Sequence, residues 1–443
     1  MDDGVSIAAT LFLPQRTPPS GGWPAIVFLH GLGGTRQQMN ALVEAYGSLE
    51  QTYAILTFDM RGHGESDGLV GVDGPREVAD LREIFDWLAA RRDVSDTKIG
   101  AWGISYGGGA VLNSLVAGVP WAAVAAVQTW TDLNSALMPQ GLVKSGVVAG
   151  LAGSIPVEKR DPSLAAVQAA ALAGNAAVVR PWAAARSSLA RLGSVTTPVL
   201  IAQGRRDFLF GIDQGTRAFQ RLRGPKFLYL GLHGHTPSTF PAPDTPLLLA
   251  RTGDWFSCYL VDAACAARAK QQRVEIVPET FRGNSDVGVW KGTALPRTRS
   301  LTYTLPGITT IAQGGKVVRW TARLPRPIEV FGAPRIKVSV AALGGWSRLV
   351  AVLVARTPQG KEIVVSAGGV PTSPGSQSAR IGLISQATAI PRGSRLQVTL
   401  APSSTAQSPS NLVYLDLPMR PGARARLGSA VLTLPVLRSR ITR

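Results

Sequence analysis

Cysteine and histidine are scarce in this 443-residue chain: two of the first and four of the second. Cys258 and Cys265 have no histidine near them, which leaves too few ligands for a zinc site. On a regular helix seven residues would separate their Cα atoms by about 10 Å, beyond the roughly 7 Å limit for a disulfide, so a bridge requires a chain reversal between them. Val261-Asp262-Ala263-Ala264, where a helix predicted over 245–260 runs out, can supply one. A bridge and two free thiols both stay open; a bridge would imply export. No run of 18 or more apolar residues occurs, which excludes a membrane-spanning helix. Only 17% of residues are charged while 45% are hydrophobic, which excludes a disordered chain. Gly31-Leu32-Gly33-Gly34-Thr35 lacks the lysine and spacing of a phosphate loop, and no metal, nucleotide or flavin motif is present, so no cofactor is expected.

Acidic residues are few in the C-terminal part. Residues 273–443 hold 23 Lys+Arg against 6 Asp+Glu, nearly the whole of the formal net charge of +18. The cations are dispersed along alternating strands, as in Val318-Arg319-Trp320-Thr321-Ala322-Arg323. This reads either as a solvated basic surface or as contact with an anionic surface, such as a cell envelope, through the field of the whole domain. No zinc-ligand spacing, RNP-like aromatic motif or basic helix accompanies the charge, so no nucleic-acid partner is expected. The first predicted strand, 5–13, begins almost at Met1 with no signal peptide ahead of it. We expect a mature domain whose leader has been removed, secreted or at the cell surface, with a cytoplasmic chain as the alternative.

What is present is a strand and helix alternation. Apolar runs at 24–29, 53–58, 98–102 and 122–127 read as buried parallel strands, and 78–88 carries apolar residues at helical spacing. After an Ala-, Gly- and Val-rich stretch at about 130–195 the alternation resumes with strands at 198–203 and 226–230 and a helix near 214–220. Such an insert reads as a cap able to exclude water and select substrates. Asp161-Pro162 is a good N-cap and N1 pair for one of its helices. From about 273 the pattern becomes short alternating strands without helices, an antiparallel sandwich, with 366–379 read as a long loop because of Gly368, Gly369, Pro371, Pro374 and Gly375. The expected fold class is therefore α/β, a parallel-sheet domain over 1–272 followed by an all-β domain over 273–443.

Chemistry enters at Gly103-Ile104-Ser105-Tyr106-Gly107, directly after a predicted strand. A serine between small residues at a strand-to-helix turn is the pattern of a nucleophile elbow. A serine hydroxyl needs a histidine to take its proton and a carboxylate to fix that histidine's tautomer. Ser105, Asp207 and His235 satisfy the order serine, acid, histidine, each after a strand. His235 is preferred to His233 because it lies farther into the loop, and Asp207 to Asp213 and Asp244 because it ends its strand. The expected oxyanion donors are the N–H groups of Tyr106 and Leu32, the latter in the glycine-rich loop after the 24–29 strand. His30, Arg61 and Ser66 are read as shaping turns.

Gly103–Gly108, Asp59-Met60-Arg61-Gly62-His63-Gly64-Glu65-Ser66, Gln203-Gly204-Arg205-Arg206-Asp207 and the C-terminal strands together resemble the cocaine esterase and X-prolyl dipeptidyl aminopeptidase family over nearly the whole chain. The resemblance implies an α/β-hydrolase domain with a helical cap and a C-terminal jelly-roll-like domain. In that family a tyrosine hydroxyl from the loop after the first core strand can serve the oxyanion; here that loop reads His30-Gly31-Leu32-Gly33-Gly34, which leaves the second donor to backbone.

A peptidase that holds a substrate ammonium needs a buried carboxylate in or near the cap. Residues 130–195 contain only Asp132, Glu158 and Asp161, against six Lys+Arg. A small-molecule or polymeric carboxylic ester is therefore the expected substrate, with X-prolyl dipeptides as the alternative enzymatic reading and an inactive surface-binding protein as the non-enzymatic one.

Overall fold

The computed structural model describes residues 1–45, 49–268, 272–283 and 287–441. Its first unit is built on a nine-stranded sheet: β1 (Ala9–Phe12), β2 (Trp23–Leu29), β3 (Ala54–Phe58), β4 (Val94–Ile104), β5 (Ala123–Val127), β6 (Val199–Gly204), β7 (Lys226–Gly231), β8 (Gln272–Ile276) and β9 (Trp290–Gly292). The order is β1-β3-β2-β4-β5-β6-β7-β8-β9. Strands from β3 to β8 pair in parallel, and β1 and β9 close the edges antiparallel. The continuous apolar runs are explained by burial on both faces: β2, β3, β5, β6 and β7 are buried throughout.

Side chains alternate between two cores. Ala25, Val27 and Leu29 pack with α2 (Pro75–Ala89) and α3 (Tyr106–Val116) on one face. Ile26 and Phe28 pack on the other with α1 (Arg36–Ala45) and the helix Thr245–Phe256. Between β5 and β6 the insert forms a helical cap, α4 (Leu133–Leu137), α5 (Ser145–Gly153), α6 (Pro162–Leu172) and α7 (Ala176–Ala184). Asp161 caps α6 by accepting from Ser163 N at 2.8 Å, as its sequence predicts.

Two boundaries differ from the sequence reading. The sheet takes up β8 and β9, so the change of grammar falls after Gly292 rather than at 272. Gln272–Ile276 alternates like a strand of either kind, and only its pairing with β7 reveals the domain to which it belongs. The stretch expected to be a loop at 366–379 is mostly strand, in Glu362–Pro371 and Gly375–Gly382. Its glycines mark close packing: a Cβ at Gly368 would overlap the carbonyl oxygen of Gly382.

The second unit consists of antiparallel strands in two sheets. Those used below are β10 (Arg335–Leu343), β11 (Gly375–Gly382) and β12 (Arg424–Leu437), neighbours in the seven-stranded sheet, and β13 (Arg348–Arg356) in the four-stranded one. Ile336, Val338 and Leu432 from the first sheet and Leu349, Ala351 and Leu353 from the second share one core. The opposite face of β13, with Val350, Val352 and Val354, packs on Phe208 and Leu142 of the first unit. Arg205 and Glu329 make a fully buried ion pair of 2.6 Å across the same junction.

Cys258 and Cys265 are bridged, with Cα atoms 5.1 Å apart. The helix Thr245–Phe256 widens into a π turn, Ser257–Val261, and leaves helical geometry at Asp262, which supplies the reversal the spacing demands.

Candidate active site

Ser105 sits between β4 and α3 with φ 54° and ψ −111°, a strained conformation for a residue with a side chain. The surroundings fix it. Ser105 N donates to Val127 O at 2.8 Å, and its carbonyl accepts from Thr129 Oγ1 at 2.7 Å. The turn is so tight that a Cβ at Gly103 would overlap the Gly107 carbonyl, and one at Gly107 the Leu29 carbonyl. The small residues flanking the serine are thus a steric requirement of the elbow.

The predicted partners converge on this serine. Ser105 Oγ lies 2.9 Å from His235 Nε2, and His235 Nδ1 lies 2.7 Å from Asp207 Oδ2. Asp207 Oδ2 also accepts from His235 N at 3.0 Å, while Oδ1 accepts from Leu209 N at 2.8 Å and Phe210 N at 2.9 Å. Asp207 is fully buried, which by itself raises a carboxyl, but the adjoining imidazole and these donors outweigh burial and hold it below the ordinary value. With Nδ1–H directed to the carboxylate, Nε2 is left to accept the serine proton. The ring of Phe210 meets the imidazole edge-on, centroids 5.2 Å apart.

The other candidates are engaged elsewhere. His233 is buried and faces Asp244 Oδ2 at 3.3 Å, which also accepts from Tyr229 Oη and Leu232 N, both at 3.0 Å. Buried His30 accepts from Met60 N at 2.9 Å and donates from Nδ1 to Gly31 O at 2.8 Å; burial pulls it down to about 4, so it stays neutral. Its carbonyl accepts from Gly107 N at 3.0 Å, which clamps the glycine-rich loop to the elbow.

That loop passes close to the nucleophile: a Cβ at Gly31 would stand 3.8 Å from Ser105 Cβ. Tyr106 is the first residue of α3, so its N–H has no intrahelical partner. Leu32 follows Gly31 and lines a cavity of about 120 Å³ beneath the cap. The cavity walls are mainly apolar, with Val148, Leu151, Leu164 and Trp182 from the cap and Val72 from below; Arg160, Asn134 and Gln168 also line it, and no Asp or Glu does among the described residues. Asp132 and Asp161 serve as helix N-caps instead.

Several residues at the site escaped sequence reasoning. Lys144, fully buried in the cap stem, donates from Nζ to Phe208 O at 3.0 Å and Leu209 O at 2.9 Å, bracing the loop that carries Asp207. Burial pulls its ammonium down to about 8. The signal was its isolation, since it is the one charge between residues 133 and 157. Gln386 Nε2 donates to Asp207 O at 2.8 Å from the second unit, and no pattern announces it. Behind the elbow, Glu77 accepts from Gly71 N and Gly74 N and lies 3.4 Å from Tyr106 Oη, with Arg186 donating to Gly71 O at 2.8 Å. Asp73 is buried beside them, and burial and Glu77 raise its carboxyl well above the usual range, which favours its neutral form.

Solved structures similar to this one include a CocE/NonD family hydrolase from Staphylococcus aureus, with a TM-score of 0.74 and 14% identity over 99% of this chain and 92% of that one. An α-amino acid ester hydrolase aligns with a TM-score of 0.67 and 17% identity over 98% of this chain and 95% of that one. These likenesses establish the fold, an α/β-hydrolase-like domain followed by antiparallel sheets. In sequence, the quorum-quenching protein AidA of Acinetobacter baumannii (strain MDR-ZJ06) is 32% identical over 156 residues, 33% of this chain and 48% of that protein. The chain spans at most about half the length of the curated relatives it matches. The profile of the X-Pro dipeptidyl-peptidase (S15) family matches residues 3–237, more than half of the chain, which therefore belongs to that family of ester and peptide hydrolases.

Proposed function

We propose that this hydrolase cleaves carboxylic esters of uncharged, apolar acids through an acyl-enzyme on Ser105. His235 Nε2 takes the hydroxyl proton as Oγ attacks the ester carbonyl, and Asp207 stabilises the imidazolium formed. The N–H groups of Tyr106 and Leu32 receive the oxyanion. Collapse expels the alcohol, which takes its proton from His235, and a water activated by the same imidazole then releases the acid.

The observation that carries ester over peptide is the lining of the cap cavity. A substrate ammonium buried there would meet mainly apolar walls and the Arg160 guanidinium with no carboxylate, a desolvation cost without compensation. An apolar acyl group gains instead, and the cavity's 120 Å³ approaches the roughly 150 Å³ at which apolar protein cavities take up benzene. The family match favours a second reading, an X-prolyl dipeptidyl peptidase. Rates on p-nitrophenyl acetate, p-nitrophenyl butyrate and Gly-Pro-p-nitroanilide separate the two. Butyrate turnover well above anilide turnover is expected; fast anilide cleavage with weak ester turnover would reverse the assignment. The Cys258–Cys265 bridge supports an exported protein.

A further inference from the structure

The outward face of the seven-stranded sheet carries charge that no acidic side chain balances among the described residues. Strands β11, β10 and β12 lie side by side. Lys337 stands directly across from Arg380, with Arg335 two positions along, and Arg426 and Arg424 continue the same face opposite Ala341 and Leu343. All five cations are exposed, and none makes a side-chain hydrogen bond or ion pair among the described residues. Like charges directly across a strand pair destabilise a sheet. The three strands contain no Asp or Glu that would offset them. From Arg335 to Leu343 the face extends roughly 27 Å along the strands, at about 3.4 Å per residue.

We propose that this face docks the protein on an anionic lipid surface. Arg335, Lys337 and Arg380 line one open depression of this face beside Gln140, and Arg424 and Arg426 extend the charge beyond it, so the cations spread over the sheet in two dimensions, as a broad anionic surface requires. No aromatic residue occurs in the three strands, so the face lacks the stacking platform of a nucleic-acid binder. The cap adjoins it: Gln140 Nε2 donates to Gly382 O at 2.7 Å and Gln140 Oε1 accepts from Gly382 N at 2.8 Å, and Gly382 pairs with Arg335. The cap's exterior carries exposed apolar side chains beside Glu158, Asn175 and Arg180. No charged residue occurs from 162 to 179, and Val157, Leu172 and Val178 are 73%, 43% and 44% exposed. Cationic attraction combined with apolar contact is what interfacial binding uses. The choice of lipid rests on the ester reading above, since esters of apolar acids concentrate in lipid assemblies.

The test is co-sedimentation of the full chain with phosphatidylglycerol-containing vesicles and with phosphatidylcholine vesicles, beside p-nitrophenyl butyrate turnover in free solution. Each cation near an anionic surface contributes about fivefold to partitioning. The Arg335→Glu/Lys337→Glu/Arg380→Glu variant, which removes three positive charges and adds three negative ones, should therefore lose anionic-vesicle binding by more than about 100-fold while its turnover of the soluble ester is unchanged. The milder Lys337→Gln/Arg380→Gln variant relieves the like-charge contact and should fold and lose about 20-fold, which keeps the test decisive if the triple variant misfolds. Failure of the wild type to bind anionic vesicles, equal binding to both vesicle types, retained binding by a folded variant, or binding to heparin alone would each overturn the proposal. Vesicle binding without ester turnover would instead refute the ester reading and leave the docking face standing.

Discussion

Gln386 Nε2, in the second unit, donates to the backbone carbonyl of Asp207 in the first, at 2.8 Å. On either side of that bond, Ala387 N donates to Arg205 O at 2.8 Å and Ile212 N to Ser385 O at 3.0 Å. The segment bearing the candidate acid is thus threaded between its own strand and a strand of the neighbouring sheet. The second unit belongs to the positioning of the acid, whatever else it does.

The buried Arg205–Glu329 pair sits at this junction, and Glu329 Oε2 also accepts from Ile441 N at 2.8 Å. Removing one partner of a buried pair strands the other charge. Glu329→Ala should cost about 3–5 kcal/mol in urea unfolding, and a change below about 1 kcal/mol would show that the junction is not held by this pair. Gln386→Leu should lower kcat about tenfold with little change in KM, since the loss of one carbonyl partner, about 1–3 kcal/mol, falls on the acid and not on the substrate.

Lys144 makes the corresponding connection from the cap. Its folded value near 8 lies below the ordinary 10.5, so the unfolded chain binds more protons between those limits and stability from this group rises with pH across that window. Relative to Lys144→Met, the wild type should gain about 2–3 kcal/mol of unfolding free energy between pH 7 and pH 10.5. A pH-independent difference would place the amine in water instead of against the Phe208 and Leu209 carbonyls.

At the elbow, the backbone approach leaves no space for a methyl group. Gly103→Ala should destabilise by about 1–3 kcal/mol or more and displace Ser105, abolishing turnover. An active, equally stable Gly103→Ala protein would mean that the turn is looser than described.

The Cys258–Cys265 bridge closes a short loop. Alkylation without reductant should leave the intact mass unchanged and reductant should expose two thiols, with a loss of about 2–3 kcal/mol on the chain-entropy account. Two labelled thiols without reductant would remove the main support for export.

Much of this was legible in sequence because local constraints coincide with the chemistry. Ser105 is announced by the glycines its turn requires, and Asp207 and His235 by their position after buried strands whose apolar runs are continuous. The sheet core was readable for the same reason. What cannot be read depends on contacts between distant segments: a boundary at 272 puts strand β8 in the wrong unit because only its partner β7 identifies it, and the 366–379 glycines read as a loop although they serve close strand packing. Gln386, 179 residues from Asp207, has no local signature at all. Lys144 left a trace, a lone charge in an uncharged stretch, but its partners are carbonyls, which sequence does not distinguish.

Catalysis turns on the hydroxyl of Ser105 acting as an acyl acceptor, and labelling with a phosphonofluoridate reads that directly. One adduct per chain, on the peptide containing Ser105, lost in Ser105→Ala together with p-nitrophenyl butyrate turnover, is the predicted result. An unlabelled wild type, or a Ser105→Ala protein that labels and turns over the ester as before, would contradict it.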